Sequence, residues 1–552
     1  MIPASLALLA AALVAAVAPR RVGTGAGVLA GTAVAVWAVT TPAGGALGLS
    51  LWEFDLVPVA VDEITRPVAF VFGLVAAANA LYASGSDVPR RELATHFTYM
   101  GVSLGAVLSG DWLTLIVHWE LMAAAATVLV WRTAADRGPG YRYALYHQVG
   151  GALLIAGVVV HYVATGTFVY AAGVTAGLAR LLAVLGVGVN VGFLGLHVWL
   201  PDAYPSPSVA TSVVLCGFTT KVGVYTLLRV APTGSRAVAY LGGGMLLFGV
   251  TMAILQTGMR KLLTYHIVSQ VGYMVAGVGV ASTLAVDGAL SHLVNNVLYK
   301  SLLFMVAGVL VLRTGEERLE KLGGLGTEMP ATAVAFLAAA LAITGTPGFA
   351  GYVSKGLVTK ATASAGLDVL WWVLLVGGVG TVVSFAKFGY YAFLRGGSLS
   401  PPDASRGQAA AMALVAVPCV AFGLVPELEF ALLPGGGGAF APYTGSEATK
   451  ALLTLAAGVA GFALVRGPLS AVAPVPDLGA VYHPAGAALR DGVVRVVTVA
   501  SGTLDRAGRR SLGGLERILT ATRFDADRPS SIGRGLLLVA VTAAIAVAVL
   551  LA

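Results

Sequence analysis

The sequence predicts an all-α membrane protein that crosses the bilayer many times. Of its 552 residues, 57% are hydrophobic and only 11% are charged, whereas a soluble globular protein carries about 25% charged residues. Apolar runs of roughly 20 residues, the length of a membrane-spanning helix, recur along almost the whole chain. Proline and glycine clusters inside two of these runs predict broken helices. A set of soluble domains is therefore excluded.

About sixteen apolar runs can be distinguished. They lie near residues 2–18, 23–41, 66–83, 93–109, 112–131, 141–163, 177–200, 207–230, 236–257, 262–282, 286–312, 330–362, 367–394, 407–425, 450–465 and 534–551. The first has no basic residue before it, so we interpret it as a retained span and not as a cleaved signal peptide. The seventh runs into "HVWLPDAYPSPS" and the twelfth contains "ITGTPGFAGYVSKG". Such breaks occur where protein or a water-filled cavity surrounds the freed backbone groups.

The basic residues predict an orientation. They collect after odd-numbered spans, as at Arg90 after the third and Arg260 after the ninth. Loops after even-numbered spans are mostly acidic or nearly uncharged, and the exceptions are Arg66, Arg180, Arg229 and Arg236. The positive-inside rule then places the odd loops in the cytoplasm of a cell-membrane protein and the N-terminus outside. The same rule accounts for the net charge of +8 without a nucleic-acid partner.

Residues 466–533 differ from the rest, because they mix small, apolar and basic residues. Leu489, Val493, Val496 and Val497 form a helical stripe, which predicts a cytoplasmic amphipathic helix on the membrane surface or on a partner. A solvated linker helix fits the pattern equally well. A last span, within 534–552, follows.

Ionisable residues interrupt the apolar runs, where a charge costs roughly 2.5–3.5 kcal/mol on insertion scales. They are Glu120, Lys221, His292, Lys300, Lys355 and Lys387. His292, Asn296 and Lys300 are each four residues apart and therefore share one helix face. Burial disfavours the charged form of a lysine and can let it release a proton near neutral pH. The set predicts a proton relay.

Several of these residues also allow a structural interpretation. Lys387 lies eight residues before Arg395, so it can equally well extend toward the membrane surface. His266, beside Arg260 and Lys261, is interpreted as structural. The two cysteines, Cys216 and Cys419, both lie in apolar runs and exclude a disulfide framework. No HExxH, P-loop or GxSxG motif is present, so no catalytic site or cofactor is predicted.

Four motifs, in order, carry a family resemblance. They are "LHVWLPDAYPSPSVATSVVLCGFTTKVGVYTLLR", "RKLLTYHIVSQVGYM", "HLVNNVLYKSLLFMVAG" and "TPGFAGYVSKGL". Over about residues 66–425 the chain resembles the antiporter-like subunits shared by Mrp-type Na+/H+ antiporters and respiratory complex I. The run "YHIVSQVGYM" and the lysine at position 355 are most similar to the D subunit of the Mrp antiporter.

This resemblance implies an antiporter-like core of about 14 helices with two inverted five-helix repeats, plus about two extra C-terminal spans. Its helices 1–3 would occupy residues 1–92. The inverted repeats would occupy residues 93–230 (helices 4–8) and 236–394 (helices 9–13). Helices 14–15 would lie in 407–465, followed by the cytoplasmic segment 466–533 and the last helix in 534–552.

The resemblance also implies roles for the buried polar residues. Glu120 matches a fifth-helix glutamate that pairs with a seventh-helix lysine, and Lys221 matches the lysine that links two half-channels. His292 and Lys300 match a histidine and a lysine of the eleventh helix. Lys355 matches the exit-side protonation site of the twelfth.

The chain departs from the family at two positions. The family lysine stands seven residues before the motif histidine, His197, and here that position is Asn190. Asparagine carries no titratable proton, so Glu120 loses its expected partner. Asn296 replaces a second histidine. We therefore take Asn190, His197, Asn296 and Lys387 as secondary pathway candidates, and we expect the first half-channel still to conduct, because Glu120 is present.

Three functions follow from these observations. The first is a proton-translocating subunit of a multisubunit monovalent cation/proton antiporter, with other membrane subunits, protons, a cation such as Na+ and the lipid bilayer as partners. The second is a proton-pumping membrane subunit of a complex I-like NADH-quinone oxidoreductase or a membrane-bound hydrogenase. The third is a structural paralogue with a degraded channel. All three are transport or structural functions and not enzymatic ones.

Overall fold

A computed structural model describes residues 3–51, 54–170 and 173–470, together with single positions between 475 and 495. Residues 1–477 form one compact unit and residues 478–552 form a second, and the elements below belong to the first. The predicted stripe of segment 466–533 and the predicted span in 534–552 lie outside the described residues.

The described residues form twenty α-helices and one β-hairpin. The first ten helices are α1 (Ser5–Val17), α2 (Arg20–Thr40), α3 (Thr65–Ser84), α4 (Arg90–Leu108), α5 (Trp112–Thr133), α6 (Gly138–Thr165), α7 (Leu178–Val191), α8 (Trp199–Ala203), α9 (Val209–Gly217) and α10 (Thr219–Val230). The others are α11 (Arg236–Leu255), α12 (Met259–Val280), α13 (Thr283–Thr314), α14 (Leu325–Glu328), α15 (Pro330–Thr344), α16 (Ala350–Ser364), α17 (Asp368–Gly389), α18 (Arg406–Leu424), α19 (Glu427–Phe430) and α20 (Gly445–Ser470).

The helices agree with the predicted spans. Within the described residues, ten helices are long and apolar enough to cross a membrane, and α1, α7 and α15 are shorter apolar helices. Each of the first fifteen predicted spans contains a helix or a broken pair of helices. The prediction of a polytopic helical membrane protein is confirmed.

The chain departs from an all-α fold at one place. Strands β1 (Gly45–Leu51) and β2 (Phe54–Val61) pair antiparallel between α2 and α3. Asp111, the N-cap of α5, accepts a hydrogen bond from the backbone N–H of Val57 at 2.8 Å. The hairpin therefore packs over the start of α5. It was not predicted, because its short alternating pattern lies between two much longer apolar runs.

Three spans are broken, and two of the breaks were predicted. The seventh span breaks between α7 and α8, and the twelfth between α15 and α16, where Gly345 takes a φ of +79°. The third break separates α9 from α10 at Phe218, with φ −116° and ψ −67°. It was not predicted, because the local sequence has Gly217 but no proline–glycine cluster.

Helix α13 lies at the centre of the bundle. It is 32 residues long, and its side chains from Asp287 to Leu310 are buried on every face. It packs against α3, α9, α12, α15, α16 and α18. Any polar residue on α13 within this stretch therefore faces protein and not lipid.

An ion pair accounts for one exception in the charge pattern. Arg229, at the end of α10, pairs with Asp62 just before α3, with 2.6 Å between Nη1 and Oδ2. Burial alone would raise the pKa of the Asp62 carboxyl, but the hydrogen bond and positive charge of Arg229 lower that pKa below its usual value. The carboxylate of Asp62 thus neutralises the charge of Arg229, which explains why this arginine can lie on the side where the loops are mostly acidic.

Candidate functional site

Three buried lysines donate hydrogen bonds to the carbonyl groups at the ends of helices. Lys221 Nζ donates to the carbonyl of Cys216, near the end of α9, at 2.8 Å. Lys355 Nζ donates to Ile343 near the end of α15 at 2.6 Å. Lys387 Nζ donates to the carbonyls of Ile254 and Gln256 at the end of α11, at 2.9 and 2.8 Å.

Helix ends explain how these ammonium groups are held without a carboxylate. The last four carbonyls of a helix have no partner inside the helix, and the helix dipole places partial negative charge there. An ammonium group has three donors and no acceptor, so it matches this environment. Two of the three ends exist only because a transmembrane span is broken, at Phe218 and at residues 345–349.

Of the two alternatives for Lys387, the one in which its side chain extends toward the membrane surface does not match the structure. Its side chain is only 3% exposed, and both of its hydrogen bonds go to the end of α11. The residue therefore joins α17 to α11 inside the bundle. The five-residue π-helix Tyr390–Leu394 follows directly in sequence.

Lys300 occupies the centre of the bundle on α13. It is fully buried, and its Nζ donates to the carbonyl of Leu263 on α12 at 2.9 Å. The charges of Lys221 and Lys355 are both close enough to act on Lys300 electrostatically. These three lysines therefore form one electrostatically connected set, which we call the lysine cluster.

His292 links α13 to the helix that carries Lys355. Its Nδ1 is 3.0 Å from Ser354 Oγ, and its Nε2 is 3.3 Å from the Tyr299 hydroxyl. Asn296 Nδ2 also donates to that hydroxyl, at 3.1 Å. His292 and Asn296 thus share a partner on their common helix face, and His292 reaches the residue next to Lys355.

His266, interpreted from the sequence as a structural residue, lies inside the bundle beside this set. It lies on α12, is fully buried, and packs its ring 4.9 Å from that of Phe385. The charges of Lys300 and Lys355 both act on it.

Glu120 stands apart from the lysine cluster. It lies in the middle of α5 and is half-buried, beside a groove of about 720 Å³ that Val117, Leu121 and Gln148 also line. Its Oε1 is buried against Gly151 of α6, where a side chain in place of the glycine hydrogen would collide with the carboxylate. Among the described residues, no ion pair involves Glu120, and Oε1 has no hydrogen-bond partner.

Asn190 and His197 line the first broken span. Asn190 is fully buried near the end of α7, and neither its amide nitrogen nor its amide oxygen has a hydrogen-bond partner within the described part of the chain. Its backbone packs against Gly223 on α10, two residues beyond Lys221. His197 Nδ1 accepts a hydrogen bond from the Gly195 amide at 3.3 Å, and its ring packs on Phe248. His197 therefore holds the loop between α7 and α8.

Glu429 is a buried carboxylate in a segment that the sequence predicts as an outer loop. It lies on α19, is fully buried, and accepts a hydrogen bond from Asn295 Nδ2 at 3.1 Å. Burial raises the pKa of the Glu429 carboxyl to about 8, although hydrogen bonds from Ser291 and Asn295 oppose the change. The short loop helix thus inserts an acid against the turn of α13 that also carries His292.

The described residues contain no group of three or more His, Cys, Asp and Glu side chains placed to hold a metal ion. The buried ionisable groups of the lysine cluster are instead side chains that each bind one proton, and two of them, Lys221 and Lys355, lie beside helix breaks. Such groups can bind and release protons one at a time.

Residues 109–384 match the protein family described as "NADH:quinone oxidoreductase/Mrp antiporter, TM". The D subunit of the Na+/H+ antiporter of Alkalihalophilus pseudofirmus is 32% identical over 317 residues, covering 54% of this chain and 64% of that protein. The match thus spans slightly less than two thirds of that relative. The N subunit of the NADH-quinone oxidoreductase of Desulforudis audaxviator is 30% identical over 408 residues, covering 68% of this chain and 81% of that protein.

The fold is also similar to a solved structure. A chain of the Mrp complex from Dietzia sp. DQ12-45-1b superposes with a TM-score of 0.70 at 22% sequence identity, covering 82% of this chain and 98% of that one. The family match and the second relative extend over the residues that hold the lysine cluster.

Proposed function

The chain belongs to the NADH:quinone oxidoreductase/Mrp antiporter transmembrane family, and from this premise we propose that it is a proton-translocating subunit of a multisubunit monovalent cation/proton antiporter. It is a multi-pass membrane protein of a family of transport subunits. The similarity to one of the subunits of an Na+/H+ antiporter favours that complex type for this chain. We take Na+ as the exchanged cation, with the N-terminus outside the cell and other membrane subunits as partners.

The lysine cluster is the observation that carries this proposal. Lys221, Lys300 and Lys355 are buried on three different helices, and each donates to a backbone carbonyl, with no carboxylate partner among the described residues. A carbonyl stabilises the ammonium form but does not lock it as a buried carboxylate would. Intramembrane ionisable residues of this kind are typical of proton relays.

The route we propose follows the cluster. Lys221 receives a proton from the first half of the bundle and passes it by way of Lys300 and His292 to Lys355 on the exit side. Mutual repulsion among the lysines favours one charge at a time, so the arrival of one proton assists the departure of another. Glu120 supplies the entry side, with Asn190, His197 and Asn296 lining the path. Lys387 we assign to holding α17 against α11.

A proton-pumping subunit of a redox complex is the second candidate. The relative from the NADH-quinone oxidoreductase matches a larger share of this chain than the relative from the Na+/H+ antiporter matches. Purification of the tagged chain from its native membrane, with identification of its partner subunits, separates the two. Other antiporter subunits support the first candidate, and redox subunits with iron–sulfur proteins support the second.

The proposal predicts the effect of removing either end of the cluster. Lys221→Ala or Lys355→Ala should lower cation-dependent proton exchange by about a hundredfold, a typical contribution of a positioned proton-transfer group. Arginine should not restore exchange at either site, because a guanidinium does not release its proton. Exchange is measured in vesicles that hold the whole complex.

Lys261→Ala is the matched control, because this lysine of α12 is exposed and should leave exchange unchanged. Wild-type exchange rates in both alanine variants, at equal amounts of assembled complex, would contradict the relay.

A further inference from the structure

Lys355 lines a narrow cavity that reaches α20, a helix beyond the region of family resemblance. The cavity has a volume of about 50 Å³, which is enough to hold water. Its wall includes Tyr273 of α12, Thr359 of α16, and Glu447 and Lys450 of α20. The exit-side lysine is therefore connected to charged groups that the antiporter motifs do not contain.

Glu447 and Lys450 form an ion pair at this wall. Lys450 Nζ lies 2.5 Å from Glu447 Oε2, and the two side chains are only 19% and 15% exposed. Lys450 Nζ also contacts Thr359 Oγ1 at 3.4 Å. Thr359 is one helical turn beyond Lys355, so the pair ties the first turn of α20 to the helix that holds the exit-side lysine.

The ion pair separates the cavity from a second, much wider space. A groove of about 780 Å³ lies outside it, lined by Lys360, Trp371 and Trp372 as well as by the pair. The cavity and the groove share four lining residues, Leu375, Glu447, Lys450 and Thr454. The ion pair therefore stands where the inner and outer spaces meet.

We propose that Glu447 and Lys450 are the exit gate for the proton carried by Lys355, with Glu447 as its acceptor. The titratable and charged groups facing this gate are Tyr273 of α12, and Tyr352, Lys355 and Lys360 of α16. With the pair closed, the two side chains narrow the passage from the cavity to the groove. This inference rests on the proposed function of the lysine cluster.

The transfer moves one proton and no electrons. An N–H bond of the Lys355 ammonium breaks, its electron pair stays on nitrogen, and the proton passes through cavity water to form an O–H bond on Glu447. The neutral carboxyl no longer attracts Lys450, whose flexible side chain then turns toward the groove. Loss of the proton to the outer solution restores the carboxylate and closes the pair.

Thiol accessibility tests the gate directly, whether or not protons cross it. Cysteine is introduced at Thr344, which lines only the cavity, or at Thr449, which lines only the groove, in the whole complex with Cys216 and Cys419 replaced by alanine. An impermeant methanethiosulfonate is applied to each side of the membrane. The thiol at 449 reports the side on which α20 begins, which we predict to be outside.

Opening the pair should expose the cavity. In Glu447→Gln or Lys450→Met backgrounds, labelling at 344 should accelerate by about tenfold, as expected when a partly buried ion pair no longer holds the closed state. Labelling at 449 should not change. Rapid labelling at 344 with the pair intact, or an unchanged rate in both variants, overturns the gate.

Proton exchange tests the acceptor role separately. Glu447→Gln should lower exchange by about tenfold or more, in the range of a proton-transfer group. Ser446→Ala, a neighbour on the same turn that does not line the cavity, should not. If Lys355→Ala stops exchange and Glu447→Gln leaves it at the wild-type rate, the acceptor role is wrong while the proposed function stands. If Lys355→Ala has no effect, the proposed function fails and the labelling rates still decide whether the pair is a gate.

Discussion

The two halves of the bundle hold their buried ionisable groups in different ways. In residues 236–394, His292, Lys300 and Lys355 lie on neighbouring helices and connect through hydrogen bonds or through their charges. In residues 93–230, Lys221 joins that same set, but Glu120 lies at a groove with no ion pair among the described residues. The connected set therefore lies mainly in the second half and reaches the first half only through Lys221, whereas Glu120 of the first half stands outside it.

The difference follows from the hydrogen-bond partners that a helical bundle provides for an ammonium group and for a carboxylate. A broken helix frees carbonyl groups, and these are acceptors that suit an ammonium. A carboxylate needs donors, and the middle of an unbroken helix such as α5 has none to spare. The family resemblance implies a lysine as the partner of Glu120, at the position that is Asn190 here, and no hydrogen bond joins Glu120 Oε1 to Asn190 among the described residues.

The first test compares two buried lysines of the second half. Lys300 belongs to the lysine cluster, and Lys387 lies outside it. Lys300→Ala should reduce proton exchange by about a hundredfold, as expected for a proton-transfer group, because Lys300 lies between Lys221 and Lys355. Lys387→Met should keep most of the exchange, because Lys387 holds the end of α11 outside this set. Its loss should instead lower the thermal stability of the complex.

Exchange in vesicles and unfolding temperature in detergent are measured on the same preparations. A Lys387→Met complex that is stable but inactive would place Lys387 in the pathway and remove the distinction between the two lysines.

The second test addresses the isolated carboxylate. If Glu120 is the entry group, Glu120→Gln should lower exchange by about tenfold or more. Gln148→Ala, which alters the same groove without removing an ionisable group, is the control. Asn190→Lys introduces the cation that the family resemblance implies and should raise exchange above the wild-type rate.

These exchange rates are compared over a range of pH. Equal rates for Glu120→Gln and wild type at every pH would show that the first half-channel does not conduct, and the chain would then resemble the structural alternative.

Most of the fold and most of the lysine cluster could be predicted from the sequence for a physical reason. A hydrophobic run long enough to span has few alternatives to a helix, and a charge inside it is conspicuous. Lys221, Lys300 and Lys355 were found in this way, and the structure places them where their charges interact. The break at Phe218 was missed, since no proline marks it.

Groups outside the apolar runs were harder to recognise. Glu429 and Glu447 have the sequence context of ordinary loop and helix-end acids, and only packing shows that one is buried and the other is paired over a cavity. His266 was interpreted as structural because it lies close to Arg260 and Lys261 in sequence. Its burial depends on α17 covering it, and no local sequence pattern indicates that contact.

The last prediction concerns the second buried carboxylate, and its expected effect is the smallest. Unlike Glu120, Glu429 has a donor, because Asn295 Nδ2 donates a hydrogen bond to its Oε2.

Burial raises the pKa of Glu429 from an ordinary value of 4.5 to about 8. Between these values the folded protein binds a proton that the unfolded chain has lost, so the contribution of Glu429 to stability is largest below pH 4.5 and is lost as pH rises through 8. Glu429→Gln removes this titration and should flatten the decline by a few degrees of unfolding temperature, whereas Glu427→Gln, at an exposed neighbour, should leave it intact. Unfolding curves of the three proteins in detergent between about pH 5 and 9 make the comparison, and a Glu429→Gln curve parallel to that of the wild type would mean that this acid is already ionised in the folded bundle.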